Sequence, residues 1–240
     1  MNLLVADAVR AAEALVPLVE GVAGVNIVVC PTFTALYAVG LALKGSLVEV
    51  GGQNCYLKES GAFTGEISPQ MLRDVGCAWA IIGHSERRQF FAETDQLLNQ
   101  KLKFALASGL KVMFCVGETL EEREGGKMQS VLTRQVTHGL EGLTEADFDR
   151  AAIAYEPVWA IGTGKTATPQ QAQEAHAFIR ELVKKQFGGA VASKVRIQYG
   201  GCVRPDNTAE LMANPDVDGA LVGGASLEVR SFADIVKNSI

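Results

Sequence analysis

Seven short apolar runs recur along the chain, near residues 25–30, 47–51, 78–82, 111–116, 151–155, 195–199 and 218–222. They are apolar throughout rather than alternating, the pattern of strands covered on both faces. Between them the apolar positions take helical spacing, over 5–19, 33–43, 95–107, 121–138, 170–186, 206–212 and 232–238. Thr94 and Thr168 stand where helix N-caps belong, and Gly109 lies just past a helix end. Strand alternating with helix predicts an α/β domain with a parallel sheet and helices outside it. Such a sheet closes as a barrel with eight strands. Only seven are visible, and the chain opens on a helix. The pattern therefore predicts one domain over residues 1–240, a (β/α)8-type barrel with its first strand missing.

Composition narrows the function classes. The 240 residues are 48% hydrophobic and 20% charged, an ordinary globular balance. A net charge of −5 argues against general nucleic-acid binding. Residues 21–43 carry no charge, but Asn26, Pro31, Thr32 and Thr34 interrupt them, so they read as a buried strand and helix rather than a membrane span. The five cysteines, Cys30, Cys55, Cys77, Cys115 and Cys202, are odd in number and have no metal-knuckle spacing. They read as reduced thiols of a cytoplasmic protein, with no metal and no cofactor expected. Asp7 and Arg10 precede any apolar run of useful length, so no signal peptide is visible.

Three groups of residues carry candidate chemistry. Glu156 ends the apolar run 151–155 and is followed by Pro157 and a Gly-rich segment. An acid at a strand's carboxyl end beside such a segment is placed to act as a base under a closing lid. The alternative is an ordinary surface acid. His84 follows the run 78–82, on the same expected rim, and Ser85-Glu86 opens a polar turn whose backbone N–H groups could face the imidazole. His138 and His176 lie within helical stretches and read as ordinary. Gly200-Gly201-Cys202 and Gly223-Gly224-Ala225-Ser226 follow the last two strands, where glycine permits close backbone approach to an anion. Gly164-Lys165-Thr166 looks like the end of a P-loop, but Trp159 stands where that motif needs glycine. The long segment 52–69, with Tyr56 and Phe63, reads as an interface rather than a plain surface loop.

Several longer motifs make the chain resemble the triosephosphate isomerase family. They are Gly61-Ala62-Phe63-Thr64-Gly65-Glu66-Ile67, Gly83-His84-Ser85-Glu86-Arg87-Arg88, Phe114-Cys115-Val116-Gly117-Glu118-Thr119, residues 155–166, Tyr199-Gly200-Gly201 and Leu221-Val222-Gly223-Gly224-Ala225-Ser226-Leu227. The resemblance implies a cofactor-free homodimer that interconverts dihydroxyacetone phosphate and glyceraldehyde 3-phosphate. It implies that Glu156 is the base, His84 the polarising group and Glu86 a supporting acid. The lid would be Pro157-Val158-Trp159-Ala160-Ile161-Gly162-Thr163-Gly164-Lys165-Thr166, latched by Tyr199. The phosphate would lie on Gly162, Gly223, Gly224 and the backbone of Cys202. Loop 53–67 would reach into a partner subunit. Two departures follow from the same resemblance. Cys202 replaces a serine, exchanging a good donor for a weak one. Met1-Asn2 matches only the end of the family's Gly-Asn-x-Lys-Met-Asn first-strand pattern, so the catalytic lysine would fall just before Met1. The expectation is an isomerase of low activity. The alternatives are a catalytically impaired phosphate-binding or structural barrel of the same family and, further off, a Schiff-base lyase.

Overall fold

The computed structural model describes residues 1–161 and 167–240. In these residues seven strands form one sheet: β1 (Ile27–Val29), β2 (Val48–Gly52), β3 (Cys77–Ile82), β4 (Lys111–Val116), β5 (Ala151–Tyr155), β6 (Arg196–Tyr199) and β7 (Gly219–Ala220). Every neighbouring pair is parallel and the order follows the chain. Among the described residues eleven α-helices accompany them: α1 (Val5–Val19), α2 (Leu36–Ala42), α3 (Pro69–Asp74), α4 (Ser85–Phe90), α5 (Asp95–Ala107), α6 (Leu120–Glu124), α7 (Met128–Gly139), α8 (Pro169–Phe187), α9 (Gly189–Lys194), α10 (Pro205–Met212) and α11 (Val229–Lys237).

The long helices form where their apolar spacing and caps require. In α1 the buried positions are Ala8, Ala12, Leu15 and Val19, a single stripe at helical period. Thr94 accepts from Leu97 N–H, and Thr168 forms a capping box with Gln171, as their positions predict. The stretch 121–138, read as one helix, is two. Gly125 ends α6, and Gly126, at φ 67°, turns the chain before α7 begins. The helices α3, α4 and α9 lie outside the sequence reading; each is six residues long, too short to show a period.

Two apolar layers result. The larger packs the sheet against the helices; the smaller is the sheet's inner face, where Trp79, Ile81, Met113, Cys115 and Ala154 cluster with Val28, Cys30 and Leu221. At the amino ends of the strands Trp79 Nε1 donates to Glu49 Oε2 at 2.8 Å, with Lys111 and Arg196 beside its ring.

The sheet is not closed. β1 and β7 are its edges, with no pairing between them among the described residues. These are the two strands expected to flank the missing position. The outer layer is continuous across that opening, because α1 packs on both α11 and α2. Residues 1–4 are exposed and do not fill it. Val28, Cys30, Leu221 and Val222 are left half-buried along its walls.

Candidate functional site

The carboxyl ends of β3, β4 and β5 converge on Glu156. Its backbone N–H donates to Val116 O at 2.8 Å, which extends the β4–β5 ladder by one step. Its side chain is only 2% exposed. Ser85 donates its backbone N–H to Glu156 Oε2 and its hydroxyl to Oε1, both at 2.9 Å. His84 Nε2 lies 3.1 Å from Oε1. Burial pushes the Glu156 pKa upward, against the opposing pull of His84, the two Ser85 bonds and Arg88.

His84 caps the short helix α4. Its Nδ1 accepts the backbone N–H of Glu86 at 3.3 Å, which leaves the ring proton on Nε2, facing Glu156. Gly83 makes the turn between β3 and His84 at φ 81°, a conformation most side chains resist. Arg88 ties this corner together: it donates to Gly83 O at 2.9 Å, to Cys115 O at 3.0 Å and to Asp95 at 2.6 Å. Glu86 points outward; its Oε2 lies 3.8 Å from His84 Nδ1 and the side chain is mostly exposed.

The segment expected to form the lid begins beside this cluster. Trp159 Nε1 and Tyr155 OH both donate to Glu118 Oε1, at 2.9 and 3.0 Å. Glu118 is fully buried, and burial raises its pKa. Pro157, Val158, Trp159, Ala160 and Ile161 are described; Gly162, Thr163, Gly164, Lys165 and Thr166 lie outside the described residues, as do any contacts of Gly162 with a phosphate. Tyr199 is fully buried, and among the described residues its hydroxyl has no hydrogen-bond partner.

Cys202, Gly223 and Gly224 follow β6 and β7. Cys202 is half-buried, and its thiol accepts from Arg204 at 3.4 Å. Gly223 and Gly224 are exposed, with open space where a Cβ would stand. The backbone there can approach a ligand without obstruction.

Loop 53–67 is ordered from within. Tyr56 and Phe63 stack at 4.8 Å between ring centroids, and Asn54 accepts from the buried Lys101 at 3.1 Å. Lys101 also donates to Glu93 Oε1 at 2.7 Å, the same oxygen that accepts from Arg87 Nε at 2.7 Å.

Sequence reasoning singled out Glu156 and His84, which the structure brings together, but did not foresee that Ser85 would hold Glu156, and it gave no role to Glu118. Glu118 carried the signal that singled out Glu156, an acid just past an apolar strand. Its surroundings make it a holder of Tyr155 and Trp159.

The family model described as triosephosphate isomerase matches residues 1–239. A triosephosphate isomerase of Carboxydothermus hydrogenoformans is 58% identical over 226 residues, covering 94% of this chain and 90% of the relative. One from Pelobacter propionicus is 56% identical over 232 residues, covering 97% and 92%. One from Endomicrobium trichonymphae is 54% identical over 239 residues, covering 100% and 95%. With its parallel strands in chain order and a buried acid at the carboxyl edge, the chain belongs to the triosephosphate isomerase family.

Proposed function

We propose that the chain interconverts dihydroxyacetone phosphate and glyceraldehyde 3-phosphate, with Glu156 as base and His84 as the polarising group. The meeting of Glu156 with His84 Nε2 and Ser85 supports this most directly. Glu156 takes a proton from C1 of dihydroxyacetone phosphate. The electrons move into an enediolate, whose oxygens receive a hydrogen bond from His84 Nε2–H. The proton then returns at C2, while the hydroxyl proton of O1 passes to O2, which leaves the aldehyde at C1 and the hydroxyl at C2. The family is itself the standing example of a carboxylate base working with a neutral histidine. Burial matters twice: it raises the carboxylate's basicity, and it keeps water from competing for the proton. To reach the substrate, Glu156 must exchange its bonds to Ser85 for the carbon-bound proton. Glu86, beside the outer edge of His84, supports the ring. Backbone groups at Gly162, Cys202, Gly223 and Gly224 hold the phosphate. Residues 157–166 close over the substrate with Tyr199 as latch.

One observation favours a slow enzyme. Arg88, the cation that acts on Glu156, is already held by Gly83 O, Cys115 O and Asp95. Lys111 and Arg196 sit at the other end of the sheet, on Trp79. Among the described residues the enediolate's charge is therefore met by His84, beside an open wall between β1 and β7. Such a chain turns over slowly or serves as a phosphate-binding relative of the active enzymes. We also propose a cytoplasmic homodimer joined through loop 53–67, where Phe63 is exposed. Sedimentation of Phe63→Asp beside the parent chain tests the dimer. Turnover of purified chain, with Glu156→Gln as control, tests the activity.

A further inference from the structure

Gln135 is a polar side chain in an apolar stripe. Helix α7 buries Met128, Val131, Leu132, Val136 and Gly139 at helical spacing, and Gln135 stands among them, 4% exposed. A buried amide is costly unless its donor and acceptor are both used. Here both go to one backbone residue. Gln135 Oε1 accepts from Gly117 N–H at 2.7 Å, and Gln135 Nε2 donates to Gly117 O at 3.1 Å. Beyond the end of β4 at Val116, the side-chain amide takes the place of a neighbouring strand's peptide.

Gly117 in turn lies on the main chain of Glu156. A Cβ at Gly117 would stand 1.8 Å from Glu156 O, so the two backbones are packed with no room between them. Val116 O, one residue earlier, accepts the Glu156 N–H. Close-packed groups of this kind cannot shift independently. From this chain of contacts we infer that Gln135 is a positioning residue for the isomerisation: it fixes the Gly117 peptide, and through it the placement of the Glu156 carboxylate. The inference rests on Glu156 being the base.

The test compares two substitutions. Gln135→Met keeps the length and apolar packing and removes both hydrogen bonds. Gln135→Glu keeps both while its carboxyl is protonated, and burial beside a carbonyl favours that form. Glutamate labelled with 13C at the side-chain carboxyl reports the Glu156 titration, assigned by the resonance lost in Glu156→Gln. This readout needs no turnover. In Gln135→Met the Glu156 midpoint moves upward, because the Ser85 bonds that favour the charged form are weakened. Its kcat falls roughly tenfold or more, the scale expected of a slightly misplaced catalytic group. KM stays within about twofold, since Cys202, Gly223 and Gly224 hang on other strands and the base is engaged chiefly in the transition state. Gln135→Glu stays near the parent in both readouts until its own carboxyl ionises; above that pH kcat falls in an added step.

A Gln135→Met protein that melts earlier yet keeps the parent's Glu156 midpoint and kcat would overturn the inference and leave Gln135 a purely structural residue. If Gln135→Met does not fold, Gln135→Glu decides instead: a Glu156 titration and kcat profile with no step beyond the parent's overturns the inference. Full activity in Glu156→Gln would instead remove the base assignment, whatever Gln135 does, so the two failures are read separately.

Discussion

Ser85 holds both carboxylate oxygens of Glu156, one through its backbone N–H and one through its hydroxyl, each at 2.9 Å. Two donors on one carboxylate favour the charged form, while burial favours the neutral one. Ser85→Ala removes one donor and leaves the burial unchanged. The acid limb of kcat/KM, which reports the free enzyme, should therefore move to higher pH. A limb that stays in place or moves down would show that the hydroxyl does not govern the base.

His176 sets an acid limit on stability. It is fully buried, with Nδ1 3.1 Å from Asp216 O. Burial lowers its pKa from 6.5 to about 4, against the raising effect of the Asp216 backbone. Between those values the unfolded chain binds a proton that the folded chain does not. Stability is thus complete above pH 6.5 and falls as pH drops toward 4, by about 3 kcal/mol. Glu118 and Glu156 act in the opposite sense: their raised pKa values remove stability as pH rises above the carboxylate range. In urea unfolding, His176→Gln should shrink the loss between pH 7 and pH 4.5 by about 2 kcal/mol. An unchanged loss would place the acid sensitivity elsewhere.

Two glycines should respond oppositely to alanine. At Gly117 the added carbon meets the Glu156 carbonyl, a backbone atom that cannot rotate away, so Gly117→Ala should cost about 3 kcal/mol or more. At Gly224 nothing lies within 4 Å of the added carbon, so Gly224→Ala should leave stability within about 0.5 kcal/mol. The methyl group would then stand where the phosphate is proposed to lie, and inorganic phosphate should bind less tightly. Calorimetry of both variants checks this; unaltered phosphate affinity in Gly224→Ala would move the phosphate site elsewhere.

The opening between β1 and β7 has the outer helices already in place around it. An added strand ahead of Met1, ending in Asn-x-Lys, should pair with both edges and bring a cation to the rim. A positioned charge of this kind is worth about 10² to 10³ in rate. The extended chain should exceed the parent in kcat/KM by that order. Equal rates would mean that the seven-stranded sheet already neutralises the enediolate.

The strands were legible because each is a short apolar run covered on both faces, and their number exposed the open edge. Helices with a full period and a cap, such as α5 and α8, were legible to within a residue or two, as was the uncapped but strongly periodic α1. The six-residue helices were not, because less than two turns shows no period. At the site, Glu156 and His84 announced themselves by standing at strand ends. Ser85 and Gln135 act through contacts across 71 and 18 residues of chain, which no local pattern encodes. Gln135 nevertheless left a trace: it is the polar member of an otherwise apolar helical stripe.

The central claim is that Glu156 moves the proton. Its most direct test is turnover of Glu156→Gln beside the parent chain, with circular dichroism confirming that both are folded. The amide keeps the shape of the carboxylate but cannot accept a carbon-bound proton. A general base contributes about 10² to 10⁴ in rate, so the variant should lose at least that factor of whatever activity the parent shows, and deuterium from solvent should no longer enter dihydroxyacetone phosphate. A folded Glu156→Gln protein that exchanges the deuterium and turns over at the parent's rate would contradict the account.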